Sequence, residues 1–192
     1  MGKRPCASDG CHFSNPCEAS DAMNHIAKIF SAVSTSLFAS PAMAAEPLAQ
    51  GAALPAVESK NQDGATVKLS ETGAKGYTLV YFYPKADTPG CTKQACSLRD
   101  SYEKLTEKGV KIYGVSMDTV AAQKAFKEKY KLPFELLADH DGKVVDAFGV
   151  PRTMGFAKRQ AFLFKDGKLV WSDFNASTEK QAEDVLKFLG EK

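Results

Sequence analysis

The feature that most constrains the fold is an unbroken run of apolar and aromatic residues from Tyr77 to Tyr83, YTLVYFY, which Pro84 closes. A strand with one face in water alternates apolar and polar side chains, whereas a strand covered on both faces is apolar throughout. The run is far shorter than the roughly 18 apolar residues of a membrane span. It therefore predicts an interior strand of a sheet that has helices on both faces.

Helical and extended patterns alternate after this strand. Residues 91–108 have an apolar stripe with helical spacing, and Gly109 ends it. The stripe consists of Ala95, Leu98, Tyr102 and Leu105. The other predicted elements are a turn at Asn61–Gly64, a strand at Val110–Ser116, a helix capped by Asp118 or Thr119, a strand at Phe134–Ala138, a short helix at Lys143–Phe148, strands at Ala161–Phe164 and Lys168–Trp171 joined by an Asp166-Gly167 turn, and a final helix with Thr178 and Gln181 as a capping box.

This order of elements predicts an α/β layer fold with a central mixed sheet flanked by helices. A strand–helix–strand start that ends in a β-hairpin and a helix points to a thioredoxin-like arrangement. We find no internal repeat and no second boundary, so residues 45–192 are expected to form one domain.

The N-terminal part of the chain is predicted to be targeting sequence. From Met23 the chain has a lysine near its start, a short apolar run with small residues, and an Ala-Met-Ala cleavage pattern at 42–44. This layout is typical of a secretory signal peptide, although an organelle transit peptide or an amphipathic helix of the domain shares some of it. We expect an upstream extension at 1–22 and a targeting peptide at 23–44. Export to the bacterial periplasm is the expected localisation, with cytoplasm or an organelle as alternatives.

Composition excludes several classes of protein. Apolar residues make up 44% and charged residues 25%, which are values of a globular chain and not of a disordered one. The net charge is +2 without a basic block, so no nucleic-acid partner is expected. No membrane partner is expected either, because no apolar run is long enough to span a bilayer.

Five cysteines are too few for a disulfide scaffold, and they fall into two groups. Cys6, Cys11 and Cys17, with His12, lack the C-x₂-C pairing of zinc sites, so no metal is expected there. Cys91 and Cys96 form a C-x₄-C pair, which matches neither redox C-x-x-C spacing nor zinc spacing.

Cys91 is placed where a reactive cysteine is expected. It follows a buried strand and a Pro/Gly turn and stands in the first turn of a predicted helix. Backbone N–H groups there have no intrahelical partner and the helix dipole is positive, and both favour a thiolate. A buried structural cysteine is the alternative, although such a residue would sit more naturally within the apolar stripe.

A specific motif surrounds Cys91. Pro84, Thr88 and Cys91 form P-x-x-x-T-x-x-C, and the longer string FYPKADTPGCTKQACSLRD resembles the peroxiredoxin Q group, also called bacterioferritin comigratory protein. The resemblance covers about residues 51–192. It implies a thiol-dependent peroxidase that reduces hydrogen peroxide and organic hydroperoxides.

The resemblance also implies a role for each matched residue. Cys91 is the peroxidatic nucleophile and Cys96 the resolving cysteine, with an intramolecular disulfide between them. Thr88 offers its hydroxyl to the peroxide, and Pro84 shields the thiolate.

An arginine at the start of a late strand completes the family's site. Arg159, in RQAFLFKDG, matches that position, and Arg152, in VPRTMG, is a weaker candidate. From composition alone either one would be read as a solvated surface charge.

The peroxidase activity that the resemblance implies needs no cofactor and no metal. It implies a peroxide substrate, thioredoxin or another dithiol as reductant, and a monomer. The alternative is a thioredoxin-like thiol–disulfide oxidoreductase, which would normally carry C-x-x-C and would leave Thr88 and Arg159 without a role. A non-catalytic chaperone or binding protein is a third class that no residue requires.

Overall fold

The structure is a computed structural model that describes residues 47–190. The predicted extension at 1–22, the predicted targeting peptide at 23–44 and the cysteines at positions 6, 11 and 17 lie outside the described residues.

Fifteen elements follow one another in the described part of the chain. They are β1 (Glu58–Asn61), β2 (Thr66–Lys68), α1 (Leu69–Thr72), β3 (Tyr77–Phe82), α2 (Pro89–Asp100), α3 (Tyr102–Glu107), β4 (Val110–Ser116), α4 (Val120–Tyr130), β5 (Glu135–Ala138), α5 (Lys143–Ala147), β6 (Arg152–Thr153), β7 (Phe156–Ala157), β8 (Gln160–Lys165), β9 (Lys168–Asp173) and α6 (Gln181–Gly190). None of these helices is long and apolar enough to cross a membrane.

The central sheet is mixed, as predicted. Its strand order is β2-β1-β5-β4-β3-β8-β9, with β3 parallel to β4 and antiparallel to β8. The apolar run therefore occupies an interior strand, and its residues from Leu79 to Tyr83 are almost fully buried. The α/β fold with helices beside a mixed sheet is confirmed.

Each face of β3 belongs to a different core. Leu79 and Tyr81 pack into the cluster that holds α2, α3 and α6, whereas Val80 and Phe82 pack into the cluster that holds α5. Because successive side chains of a strand point to opposite faces, a strand between two cores must be apolar at every position. This explains the unbroken run in the sequence.

The single helix predicted over residues 91–108 is wrong, because the chain forms two helices. α2 begins earlier, at Pro89, since a proline fits the first turn of a helix. The backbone leaves helical geometry at Ser101, with φ −105° and ψ 10°, and α3 follows. Leu98 and Leu105 are both fully buried on either side of the break, so the apolar periodicity continues across it and conceals it.

The predicted capping box of the last helix is also wrong. The Ser177 hydroxyl accepts hydrogen bonds from the N–H groups of Glu179 and Lys180, and α6 begins only at Gln181. The Gln181 side chain is buried against α2 and does not reach back to Thr178. Ala182 and Val185 of α6 are buried in the core, and Leu186 and Leu189 are partly buried against it.

Other turns and caps agree with the sequence, and two small elements were not predicted. Thr119 caps α4 by accepting from the Ala122 N–H. The Asp166-Gly167 turn joins β8 to β9, with positive φ at both residues as a tight hairpin requires. Helix α1 and the β6–β7 hairpin are too short to produce a periodic pattern.

Candidate active site

Cys91 lies at the start of α2, beyond the carboxyl end of β3. It is the third residue of the helix and is 2% exposed. Thr88 occupies the N-cap position with extended backbone but makes no side-chain cap, and no acidic residue lies in the first turn. The positive end of the helix dipole at Cys91 is therefore not neutralised from within the helix.

Arg159 contacts the sulfur of Cys91. Its Nη2 lies 3.4 Å from Sγ, and its Nη1 donates to the Oε1 of Gln94. The sheet explains this placement. Gln160 pairs with Phe82 in the antiparallel β3–β8 ladder, so the residue before Gln160 lies beside the loop that leaves β3. A guanidinium thus meets a thiol 68 residues away in sequence.

Arg152, the weaker candidate, lies elsewhere. It is on β6, where its guanidinium forms an ion pair with Asp146 and covers the backbone of Gly142. A side chain added at Gly142 would meet that guanidinium at 2.7 Å. The two arginines that the sequence left as candidates are therefore distinguished by their surroundings.

Thr88 and Pro84 bracket the loop before α2, and both are half-buried. The Thr88 hydroxyl donates to the Lys85 carbonyl at 3.0 Å. A hydroxyl oxygen that has donated its proton keeps two lone pairs, so Thr88 can still accept a hydrogen bond from a ligand.

Cys96 lies in the same helix as Cys91 and is half-buried, and both thiols are free. Five helical steps separate the two Cα atoms by about 8.7 Å and turn their side chains about 140° apart around the axis. The two cysteines belong to one helix but do not face each other.

Two carboxylates fix the loop between β3 and α2. Asp118, at the end of β4, accepts from the Ala86 N–H at 2.7 Å. Asp87 has a positive φ of 56°, and its carboxylate accepts from Lys129 and from the Tyr130 hydroxyl. Hydrogen bonds from Lys129 and then Tyr130 lower the pKa of Asp87, so the anchor stays charged at neutral pH.

Two stacked tyrosines belong to the same buried cluster as Cys91. Tyr81 and Tyr83 have ring centroids 5.6 Å apart, and the Tyr83 hydroxyl donates to Gln123. Burial raises the pKa of Tyr81 and of Tyr83 well above the ordinary value. Both phenols therefore stay neutral at physiological pH.

Sequence reasoning missed two buried glutamines, Gln94, which accepts from Arg159, and Gln181, which accepts from Gln94. Gln94 follows Cys91 by three residues and so shares its helix face, which was the signal available for it. The sequence pattern places Gln181 in a helix cap instead. It also offers Asp118 as a helix cap, which conceals the anchoring role of that residue. Between residues 47 and 190 no group of three acidic, histidine or cysteine side chains could hold a metal ion.

The sequence has clear relatives. The model of the AhpC/TSA family matches residues 50–172. A chloroplastic peroxiredoxin Q of Suaeda salsa is 42% identical over 146 residues, covering 74% of this chain and 68% of the relative. The chloroplastic peroxiredoxin Q of Oryza sativa subsp. japonica is 41% identical over 146 residues, covering 74% and 67%.

Solved structures agree. The peroxidoxin BcpB from Mycobacterium tuberculosis superposes with a TM-score of 0.69 at 32% identity, covering 74% of this chain and 96% of that one. The bacterioferritin comigratory protein of Xanthomonas campestris gives a TM-score of 0.67 at 27% identity, covering 72% and 95%. That structure was described for its alkyl peroxide reduction activity.

Proposed function

Since the chain belongs to the AhpC/TSA family and is a thiol-dependent peroxidase, we propose that Cys91 attacks the peroxide and that Cys96 resolves the product. The observation that carries this assignment is the 3.4 Å contact between Arg159 and the Cys91 sulfur at the uncapped start of α2. Cys96 has no such contact with Arg159, so the two cysteines differ in chemical environment.

The residue types fit the reaction. The Cys91 thiolate attacks one peroxide oxygen, the O–O bond breaks, and the other oxygen leaves as hydroxide or alkoxide that takes up a proton. Arg159 and the first N–H groups of α2 can stabilise the charge that develops on the leaving oxygen. Thr88 orients the peroxide, and Pro84 limits access of water to the sulfur.

Resolution returns the enzyme to its starting form. Cys91 is now a sulfenic acid, and the Cys96 thiol displaces its hydroxyl as water to form a disulfide. A dithiol of the thioredoxin type then supplies two electrons and two protons by exchange. Both cysteines belong to one chain, so a monomer suffices, and neither nucleic acid nor a membrane takes part.

Replacing Cys91 tests the assignment directly. Cys91→Ser should abolish peroxide consumption in the presence of dithiothreitol, because the hydroxyl of serine is not ionised at neutral pH. Without dithiothreitol and with one equivalent of peroxide, Cys96→Ser should consume that equivalent and stop at the sulfenic acid, because the resolving thiol is missing. Retained turnover in Cys91→Ser would falsify the assignment, and stopped-flow fluorescence with mass spectrometry measures both variants.

The two arginines form a matched pair of variants. Arg159→Met should slow oxidation of Cys91 by roughly 10²–10³, the usual effect of removing one donor aimed at developing charge. Arg152→Met removes the same charge but only an exposed ion pair, so the rate should stay near that of the wild type. The reverse ranking of the two rate constants would show that Arg159 has been misassigned.

Formation of the disulfide requires α2 to come apart. A disulfide needs Cα atoms within about 4.4–6.8 Å, less than the separation on an intact helix. Residues 91–98 should therefore unwind on oxidation. Amide exchange across this stretch should be slower in reduced than in oxidised protein. Equal exchange, in a sample shown by mass spectrometry to carry the Cys91–Cys96 disulfide, contradicts this.

We also propose that residues 23–44 are a cleaved targeting segment and that 45–192 form the mature domain. The Ala-Met-Ala pattern supports removal near Ala45, and the chloroplastic names of the relatives favour an organelle over the periplasm. N-terminal sequencing of protein from the native cell should give a start at or near Ala45, and fractionation identifies the compartment. A cytosolic chain that begins at Met1 would overturn this proposal.

A further inference from the structure

A buried chain of hydrogen bonds runs from the reacting sulfur to the last helix. Arg159 contacts the Cys91 sulfur with one nitrogen and donates to the Oε1 of Gln94 with another. The Nε2 of Gln94 donates to the Oε1 of Gln181 at the start of α6. Gln94 and Gln181 are 0% and 1% exposed, so water does not compete for these bonds.

Arg159 fixes which group donates and which accepts in this series of hydrogen bonds. A guanidinium only donates hydrogen bonds, so Gln94 must turn its oxygen to Arg159 and its nitrogen to Gln181. Gln181 must then present its oxygen. Its own nitrogen has no hydrogen-bond partner among the described residues. The only side-chain hydrogen bond by which this buried glutamine can contribute stability is therefore the one that its oxygen accepts.

The segment just before α6 also approaches the first turns of α2 at two places. Lys93 forms an exposed ion pair with Glu179 at 2.7 Å. The Thr178 methyl lies 3.5 Å from the position that a side chain on Gly90 would occupy. Of these contacts, only the one between Gln94 and Gln181 is buried, and exposed ion pairs contribute little.

We propose that Gln181 is a positioning residue that holds the reacting segment of α2 in its helical form. This inference rests on the function proposed above. Gln94 lies between Cys91 and Cys96, so the unwinding that joins them must pull Gln94 away from Gln181. The bond to Gln181 is therefore present before resolution and absent during it, and it delays resolution.

The delay has a chemical consequence for the sulfenic acid. While α2 stays helical, a second peroxide can oxidise the Cys91 sulfenate to sulfinate. The peroxide transfers one oxygen to the sulfur, and the rest of it leaves as water or an alcohol. Once α2 unwinds, Cys96 displaces water and forms the disulfide. Gln181 thus sets the ratio between sulfinic acid and disulfide at a given peroxide concentration.

Gln181→Met replaces the amide oxygen by a thioether, which is only a weak acceptor, and keeps the length of the side chain. The peroxide concentration that converts half of Cys91 to sulfinic acid should rise about five-fold, the equivalent of one net hydrogen bond of about 1 kcal/mol. Mass spectrometry of Cys91 after a peroxide pulse measures this ratio. Amide exchange of residues 91–96 in the reduced variant should be faster than in the wild type.

Fold stability separates positioning from a merely structural role. The methionine leaves the Gln94 nitrogen unpaired but removes the unpaired nitrogen of Gln181, so the urea midpoint should change little. Gln62→Met is the matched control: Gln62 is also buried, and it accepts from the Leu136 N–H of β5, two strands away from β3. It should lower the midpoint and leave the sulfinic-to-disulfide ratio unchanged.

A second variant keeps the test decisive if the methionine impairs folding. Gln181→Glu retains an acceptor: burial favours the neutral carboxylic acid, whose carbonyl oxygen can still accept from the Gln94 nitrogen, so disulfide formation should be about as slow as in the wild type. Faster formation in Gln181→Glu overturns the proposal. The proposal about Gln181 is also overturned if Gln181→Met keeps the wild-type ratio of sulfinic acid to disulfide and the wild-type amide exchange rate. It is overturned as well if that ratio shifts equally in Gln62→Met. Either outcome leaves the proposed function intact. A wild-type chain that consumes peroxide without a Cys91–Cys96 disulfide refutes both.

Discussion

The antiparallel pairing of β3 with β8 is the interaction on which the site depends. It places Gln160 opposite Phe82, and therefore sets Arg159 beside the loop that leads into α2. A slip of one residue would turn every side chain of β8 to the opposite face of the sheet. The β8 side chains alternate between the two cores, with Ala161 and Leu163 in one and the larger Phe162 and Phe164 in the other. A slip would exchange side chains of different size between two close-packed cores, so the register that fits both cores also fixes the arginine at the sulfur.

The start of α2 has two requirements that oppose each other. Attack on peroxide needs a rigid helix terminus, whose N–H groups and dipole act on the sulfur without reorganisation. Formation of the disulfide needs the same turns to unwind, since Cys91 and Cys96 point away from each other on the helix. The packing reflects this compromise: Ala95 and Leu98 are fully buried, whereas Thr92 is only half-buried and Lys93 is exposed.

The sequence predicted what local patterns encode. The apolar run of β3, the Asp166-Gly167 turn and the position of Cys91 at a helix start each follow from a few neighbouring residues. The break at Ser101 could not be predicted, because burial on both sides of it continues one periodic stripe. The partners of Gln94, Gln181 and Asp118 depend on contacts between distant segments. Arg159 was found only through a family motif, because nothing local distinguishes it from Arg152.

The anchors of the loop before α2 determine where movement can occur. Asp118 holds Ala86, and Lys129 and Tyr130 hold Asp87, so the backbone up to Asp87 is tied to the loop after β4 and to α4. The bond from the Thr92 N–H to the Thr88 carbonyl is where the backbone first joins α2. At the other end, Leu105 anchors α3 in the core, where it is fully buried. The excursion of α2 is thus confined between two fixed ends. After each catalytic cycle the segment refolds while both of its ends are held in their native positions. The helix therefore re-forms with fewer conformations to sample than a free segment would have.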